Sequence, residues 1–166
     1  MTRGIGAGIA LVAFLSGPPL AAQAPAGGRS PQFILEYGPQ GTLTIADSTR
    51  FGVVGGGRLA LRTPGGTRGS LAFGAGVLGD SASARVEAAV EYQLAPRARG
   101  RPGFYFGGGL TGVMGAGRGG YLLLFVGLEQ SPGYGGGWAI EAGLGGGIRI
   151  RGAYHWRRFP KGWQSR

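Results

Sequence analysis

Between Ala82 and Leu94 the side chains alternate with a period of two, and this narrows the folds open to the chain more than any other feature. Ala84, Val86, Ala88, Val90, Tyr92 and Leu94 fall on one face. Ser83, Arg85, Glu87, Ala89, Glu91 and Gln93 fall on the other. Successive side chains of a β-strand point to opposite sides, so one face is continuously apolar and the other carries the charge. Wound as a helix, the segment would scatter Arg85, Glu87 and Glu91 around the cylinder. The spacing therefore predicts a strand.

The same alternation recurs along the chain after residue 30. In Phe33–Ala46 it sets Phe33, Leu35, Tyr37, Leu43 and Ile45 against Glu36, Thr42 and Thr44, with a break at Pro39. In Phe51–Arg62, Phe51, Val53, Leu59 and Leu61 oppose Arg58 and Arg62. Gly69–Gly79 places Leu71, Phe73, Ala75 and Val77 opposite mainly small residues, and Gly103–Gly115 sets Phe104, Phe106, Leu110 and Met114 against Tyr105 and Thr111. Trp138, Ile140, Ala142 and Leu144 oppose Glu141; Ile148, Ile150, Tyr154 and Trp156 oppose Arg149, Arg151 and His155. Tyr121–Gln130 is apolar on both faces, so its orientation cannot be read. Turn chemistry separates these segments at 47–49, 63–66, 79–81, 95–102, 115–117, 131–135 and 145–147. The expectation is about eight strands, each near the 9–11 residues that a tilted strand needs to cross a membrane.

Composition fits this reading. Thirty-nine glycines disfavour a helical bundle, and 43% hydrophobic against 14% charged residues argues against a disordered polyelectrolyte. With no cysteine, disulfides and thiolate chemistry are excluded. Residues 1–26 read as a signal peptide: Arg3 supplies the positive region, Ile5–Leu15 the apolar core, and Ala24-Pro25-Ala26 a small-x-small cleavage site. The apolar run is short of the roughly 20 residues that an anchoring helix requires. Residues 27–31 form a short linker, 32–159 the barrel and 160–166 a basic tail.

Soluble sandwiches and barrels also alternate, so the choice rests on which face serves as core. Here the apolar faces are broad and rich in aromatics near strand ends. The opposite faces carry glycine, alanine and paired charges: Gly107 and Gly109 share one with Tyr105. A polar, small-residue lumen inside an apolar belt is the pattern of membrane barrels. Eight strands leave an interior that side chains just fill, too narrow for an open pore. The charges then form a lumenal ion-pair network of Arg58, Arg62, Arg85, Glu87, Glu91, Glu141, Arg149 and Arg151, with Glu36 a further inward carboxylate, because an unpaired buried charge is costly. The alternative is a set of solvated charges on an ordinary sheet.

On these residues the chain resembles the small eight-stranded outer-membrane barrels, the OmpA-like, OmpX-like and opacity-type family, over roughly residues 32–159. The resemblance implies an all-β, antiparallel up-and-down transmembrane barrel in the bacterial outer membrane, with a structural, envelope or surface-contact role and no turnover. It also implies a monomer whose partners are outer-membrane lipid, lipopolysaccharide and the barrel-insertion machinery. The aromatic-rich last strand supplies the insertion signal in Gly152, Tyr154 and Trp156, although ten residues follow Trp156 where such barrels usually end on an aromatic. In this family's orientation the connection 95–102 faces the periplasm and the outer loops are very short.

Other motifs carry less. The Gly-x-Gly-x-x-Gly matches at Gly74, Gly107 and Gly115 lack the helix that a pyrophosphate site needs, and strand glycine is better read as close packing or curvature. His155, the single histidine, stands among Arg149, Arg151, Arg157 and Arg158, an arrangement unsuited to a metal. No catalytic set accompanies it, so no catalytic residue, metal or cofactor is expected. Sixteen arginines and one lysine invite a nucleic-acid reading, but no stacking motif appears. The arginines of 95–102 and of the tail instead suit anionic lipid headgroups. Two other functions stay open: a soluble secreted barrel that binds a hydrophobic ligand, and a lipid A-modifying outer-membrane enzyme using His155.

Overall fold

The computed structural model describes residues 32–47, 50–115 and 117–161. The signal-peptide and linker segments expected in 1–31, and 162–166 of the tail, lie outside the described residues. Eight strands follow one another: β1 (Ile34–Asp47), β2 (Arg50–Arg62), β3 (Thr67–Leu78), β4 (Ser81–Gln93), β5 (Gly103–Gly115), β6 (Gly119–Glu129), β7 (Gly136–Leu144) and β8 (Ile148–Arg158). Each pairs antiparallel with the next, and β8 closes on β1 to complete a barrel. The fold is all-β, up-and-down and without a free sheet edge, which removes the pairing hazard that an open sheet presents.

Register fixes the shape. Following paired residues around the wall from Ile34 leads through Arg62, Arg68, Glu91, Gly107, Phe125, Gly143 and Arg149 to Thr44. The path returns to β1 ten residues further along (44 − 34 = 10). With eight strands, that stagger corresponds to a strand tilt of about 40°. An 11-residue strand at this tilt is about 27 Å tall, close to the apolar band height of roughly 25 Å in membrane barrels.

Burial separates the faces. Phe73, Leu110, Leu122, Leu124 and Val126 stand outside, with Leu122 75% exposed, while Glu91 and Glu129 stand inside at 1% and 0%. The strand that the sequence left unoriented is now placed: Leu122, Leu124, Val126 and Leu128 of β6 point out, and Leu123, Phe125 and Glu129 point in. Leu123, Phe125, Tyr105 and Ala139 form a small apolar plug inside the barrel. Leucine and phenylalanine on both faces made this strand ambiguous by pattern alone.

Several inward glycines are dictated by close approach. A Cβ added at Gly56 would lie 1.9 Å from the Phe73 carbonyl oxygen, and one at Gly109 would lie 2.0 Å from that of Ala88. At outward Gly112 an added Cβ would meet nothing within 4 Å.

The two ends differ. At the end where β1 begins and β8 finishes, the connections 94–102 and 130–135 fold across the opening. The Gly133 amide donates to the Ala98 carbonyl at 2.9 Å, and Ala98, Pro132 and Gly133 are buried. Among the described residues, the opposite end carries short connections such as Gly79-Asp80, with φ +59° at Gly79, a value that favours glycine.

Candidate functional site

All five glutamates of the chain face the lumen, and among the described residues seven arginines join them: Arg58, Arg62, Arg68, Arg85, Arg149, Arg151 and Arg157. Each comes from a strand position whose neighbours on either side point outward, so alternation alone delivers them to one space. They sort into two networks along the barrel axis.

The first lies toward the capped end, with Arg68 at its hub. Arg68 Nη1 donates to Glu36 Oε2 at 2.8 Å and to Glu129 Oε2 at 2.7 Å, and Nε donates to Glu91 Oε2 at 2.8 Å. Glu91 also accepts from Arg58 and, at 2.6 Å, from the Ser70 hydroxyl. Arg62 donates to Gln93 Oε1 at 2.6 Å and to the Pro132 carbonyl at 2.8 Å, and its Nε lies 3.1 Å from Glu36. Arg157 donates to Glu129 and, at 2.9 Å, to the Tyr134 carbonyl. The last two arginines thus tie the cap to the wall.

The second network lies toward mid-barrel. Arg149 and Arg151 each bridge Glu87 and Glu141. Their guanidinium groups stand 5.5 and 5.7 Å from the Phe125 ring centroid, within cation–π range. Tyr105 joins the networks: Arg68 sits 4.9 Å over its ring, and its hydroxyl donates to Glu141 at 3.2 Å.

The residues that the sequence singles out, Arg58, Arg62, Arg85, Glu87, Glu91, Glu141, Arg149 and Arg151, are all inside. The hub was missed. The sequence reading starts the third strand at Gly69, whereas β3 starts at Thr67 and carries Arg68 inward. Glu129 was hidden in the unoriented strand. Arg157, named from the sequence only as a neighbour of His155, is a lumenal residue because β8 runs on to Arg158. Period two continued beyond Trp156 would have placed it. Gly152, Tyr154 and Trp156 lie on the outer face of β8, with Tyr154 and Trp156 in edge contact at 5.2 Å and Tyr37 tilted against Trp156 at 5.9 Å.

His155 is buried at the first network, where Arg58 Nη1 lies 3.4 Å from its Nε2. Ligand atoms of Glu36, Glu129 and His155 fall within 4.8 Å of one another. Both carboxylates are already held by Arg62, Arg68 and Arg157, so a metal ion there would have to displace guanidinium groups.

Beyond the second network the lumen opens into a cup of about 1060 Å³ at the uncapped end. Thr44, Val54, Ser83, Arg85 and Val113 line its interior, and the Gly145–Gly147 turn forms part of its rim. Arg85 stands in it with mainly neutral partners: Nη1 donates to Thr44 Oγ1 at 3.2 Å and Nη2 to the Gly145 carbonyl at 2.7 Å. Its nearest carboxylate, Glu87, is 3.7 Å away and is shared with Arg149 and Arg151.

No protein-family model matches the chain, and no curated protein matches its sequence. A solved structure reported under "De novo design of transmembrane beta-barrels" is similar over 78% of this chain and 98% of that one, at 14% identity and a TM-score of 0.47.

Proposed function

We propose that this chain is a non-enzymatic barrel protein of the bacterial outer membrane, with a structural or envelope role. The observation that carries the reading is the inversion of a soluble protein: the charges are inside and the large apolar side chains outside. Leu59, Leu71, Phe73, Leu110, Leu124, Val126 and Ile140 stand between 49% and 64% exposed on a continuous wall. A patch of that extent in water is an association hazard, whereas hydrocarbon accepts it. Outward aromatics cluster toward the capped end, where Tyr37, Tyr92, Phe106, Trp138, Tyr154 and Trp156 suit a membrane interface.

The soluble-barrel reading needs an apolar core, whereas the capped half and the middle of this lumen hold the two ion-pair networks. For the lipid A-modifying reading, His155 offers a buried ring whose Nε2 faces the Arg58 guanidinium. Lipid and lipopolysaccharide are the expected surroundings, the insertion machinery the expected transient partner, and a monomer the expected state. Arg99, Arg101 and Arg158 are exposed at the capped end and suit anionic headgroups.

Fractionation with detergent extraction, followed by comparison of boiled and unboiled gel migration, tests the proposal. Recovery in the outer-membrane fraction with faster migration before boiling is expected. A soluble protein whose migration ignores boiling would overturn it, and altered lipid A on overexpression would overturn the non-enzymatic part.

A further inference from the structure

We propose that the open cup binds a single-chain anionic amphiphile, its carboxylate seated on Arg85 and its chain leaving the barrel sideways. The inference goes beyond an envelope role and rests on the membrane reading only for where the chain goes.

Charge comes first. Among the described residues, seven arginines share the lumen with five glutamates, and the cation with least carboxylate compensation is Arg85. Its side chain is 93% buried yet borders a cavity, so an anion arriving there meets a guanidinium already out of bulk water. In such surroundings a charge-assisted hydrogen bond is stronger than at the surface. Neutral Thr44 and Gly145 hold the guanidinium in place without neutralising it.

Apolar lining comes second. Apart from Arg85, Thr44, Ser83, Tyr121 and an exposed Arg50, the cup is walled mainly by apolar side chains and glycine, with Val54 and Val113 inside. Its volume of about 1060 Å³ lies just above the roughly 300–1,000 Å³ usual for small-molecule sites. A bare inorganic anion would leave most of that surface without a partner.

The wall gives the exit. Pairing between β6 and β7 begins only at Leu124 with Leu144, so residues 119–123 of β6 have no β7 partner beside them. On the far side β8 begins at Ile148, paired with Ile45. The short Gly145–Gly147 turn therefore leaves a notch at the open end. The cavity lining runs through it from inward Val113 to Leu122 and Ile148, which are 75% and 60% exposed on the outer face. A chain anchored at Arg85 can pass over this turn into the apolar surroundings of the wall.

The test is scintillation-proximity binding of radiolabelled dodecanoate to the folded protein in dodecyl maltoside. We expect saturable one-site binding, weakened about tenfold or more by Arg85→Gln, since a hydrogen bond to a charged group contributes that much. Ser83→Trp, which leaves Arg85 intact and fills the cup, should abolish binding. Dodecanol should compete at least about tenfold less well, for the same reason, and neither acetate nor inorganic phosphate should compete. Non-saturable binding, or equal binding by both variants, would overturn the proposal. Equal competition by dodecanol would mean apolar partition only; equal competition by phosphate would mean an anion site that makes no use of a chain. Boiled and unboiled migration of each variant reports whether its barrel is folded. Membrane residence is scored separately by fractionation, so the two ideas can fail independently.

Discussion

The capped half of the lumen and the open half are built by the same eight strands, yet one is filled and the other is not. The difference is a gradient of side-chain size along the inward positions of single strands. On β2 the inward series runs Arg62, Ala60, Arg58, Gly56, Val54, Gly52; on β3 it runs Arg68, Ser70, Ala72, Gly74, Gly76. Long charged groups stand toward the cap and short ones toward the open end. A barrel of this size can therefore hold both a charged plug and a ligand-sized cup, and side-chain length decides where one gives way to the other.

The comparison breaks most visibly at the hub. Arg68→Leu leaves Glu36, Glu91 and Glu129 short of a donor, and removing one partner of a buried pair costs about 3–5 kcal/mol. Urea-dependent refolding into phosphocholine vesicles, read by gel shift, should show a loss of that order. Next comes the outer face, where Leu110→Arg on the belt should cost about 2–4 kcal/mol in the same assay if the wall meets hydrocarbon. A smaller effect is expected where the wall itself is tight: Gly109→Ala should lose about 1–3 kcal/mol by overpacking. Gly112→Ala, on the same strand but facing open space, should stay within about 0.5 kcal/mol. Smallest of all, Ser83→Ala in the open half gives up only a 3.3 Å bond to the Met114 carbonyl, and a change within about 0.5 kcal/mol is expected. If Ser83→Ala destabilised as much as Arg68→Leu, the two halves would not differ as described.

Much of this division is written in the alternation. Strand count, closure and the faces of β1 to β5, β7 and β8 follow from period two and turn chemistry. What escaped has physical causes. Leu123 and Phe125 are as apolar as the outward Leu122 and Leu124, because the interior holds an apolar plug between its charges. Arg68 stands one residue after the start of its strand, where Thr63-Pro64-Gly65-Gly66 obscures the boundary. The cup was not legible at all. It depends on a nine-residue β7 and on register, neither of which is visible as a residue type.

The measurement that bears most directly on the inside-out wall is a cysteine scan of β6, made clean by the absence of native cysteine. Single cysteines at positions 122 to 126, spin-labelled in vesicles, would report access to oxygen dissolved in the hydrocarbon and to a water-soluble nickel chelate. The account predicts high oxygen access at Leu122, Leu124 and Val126 and low access at Leu123 and Phe125. Uniform access along the strand, or greater chelate than oxygen access at the outward positions, would contradict it.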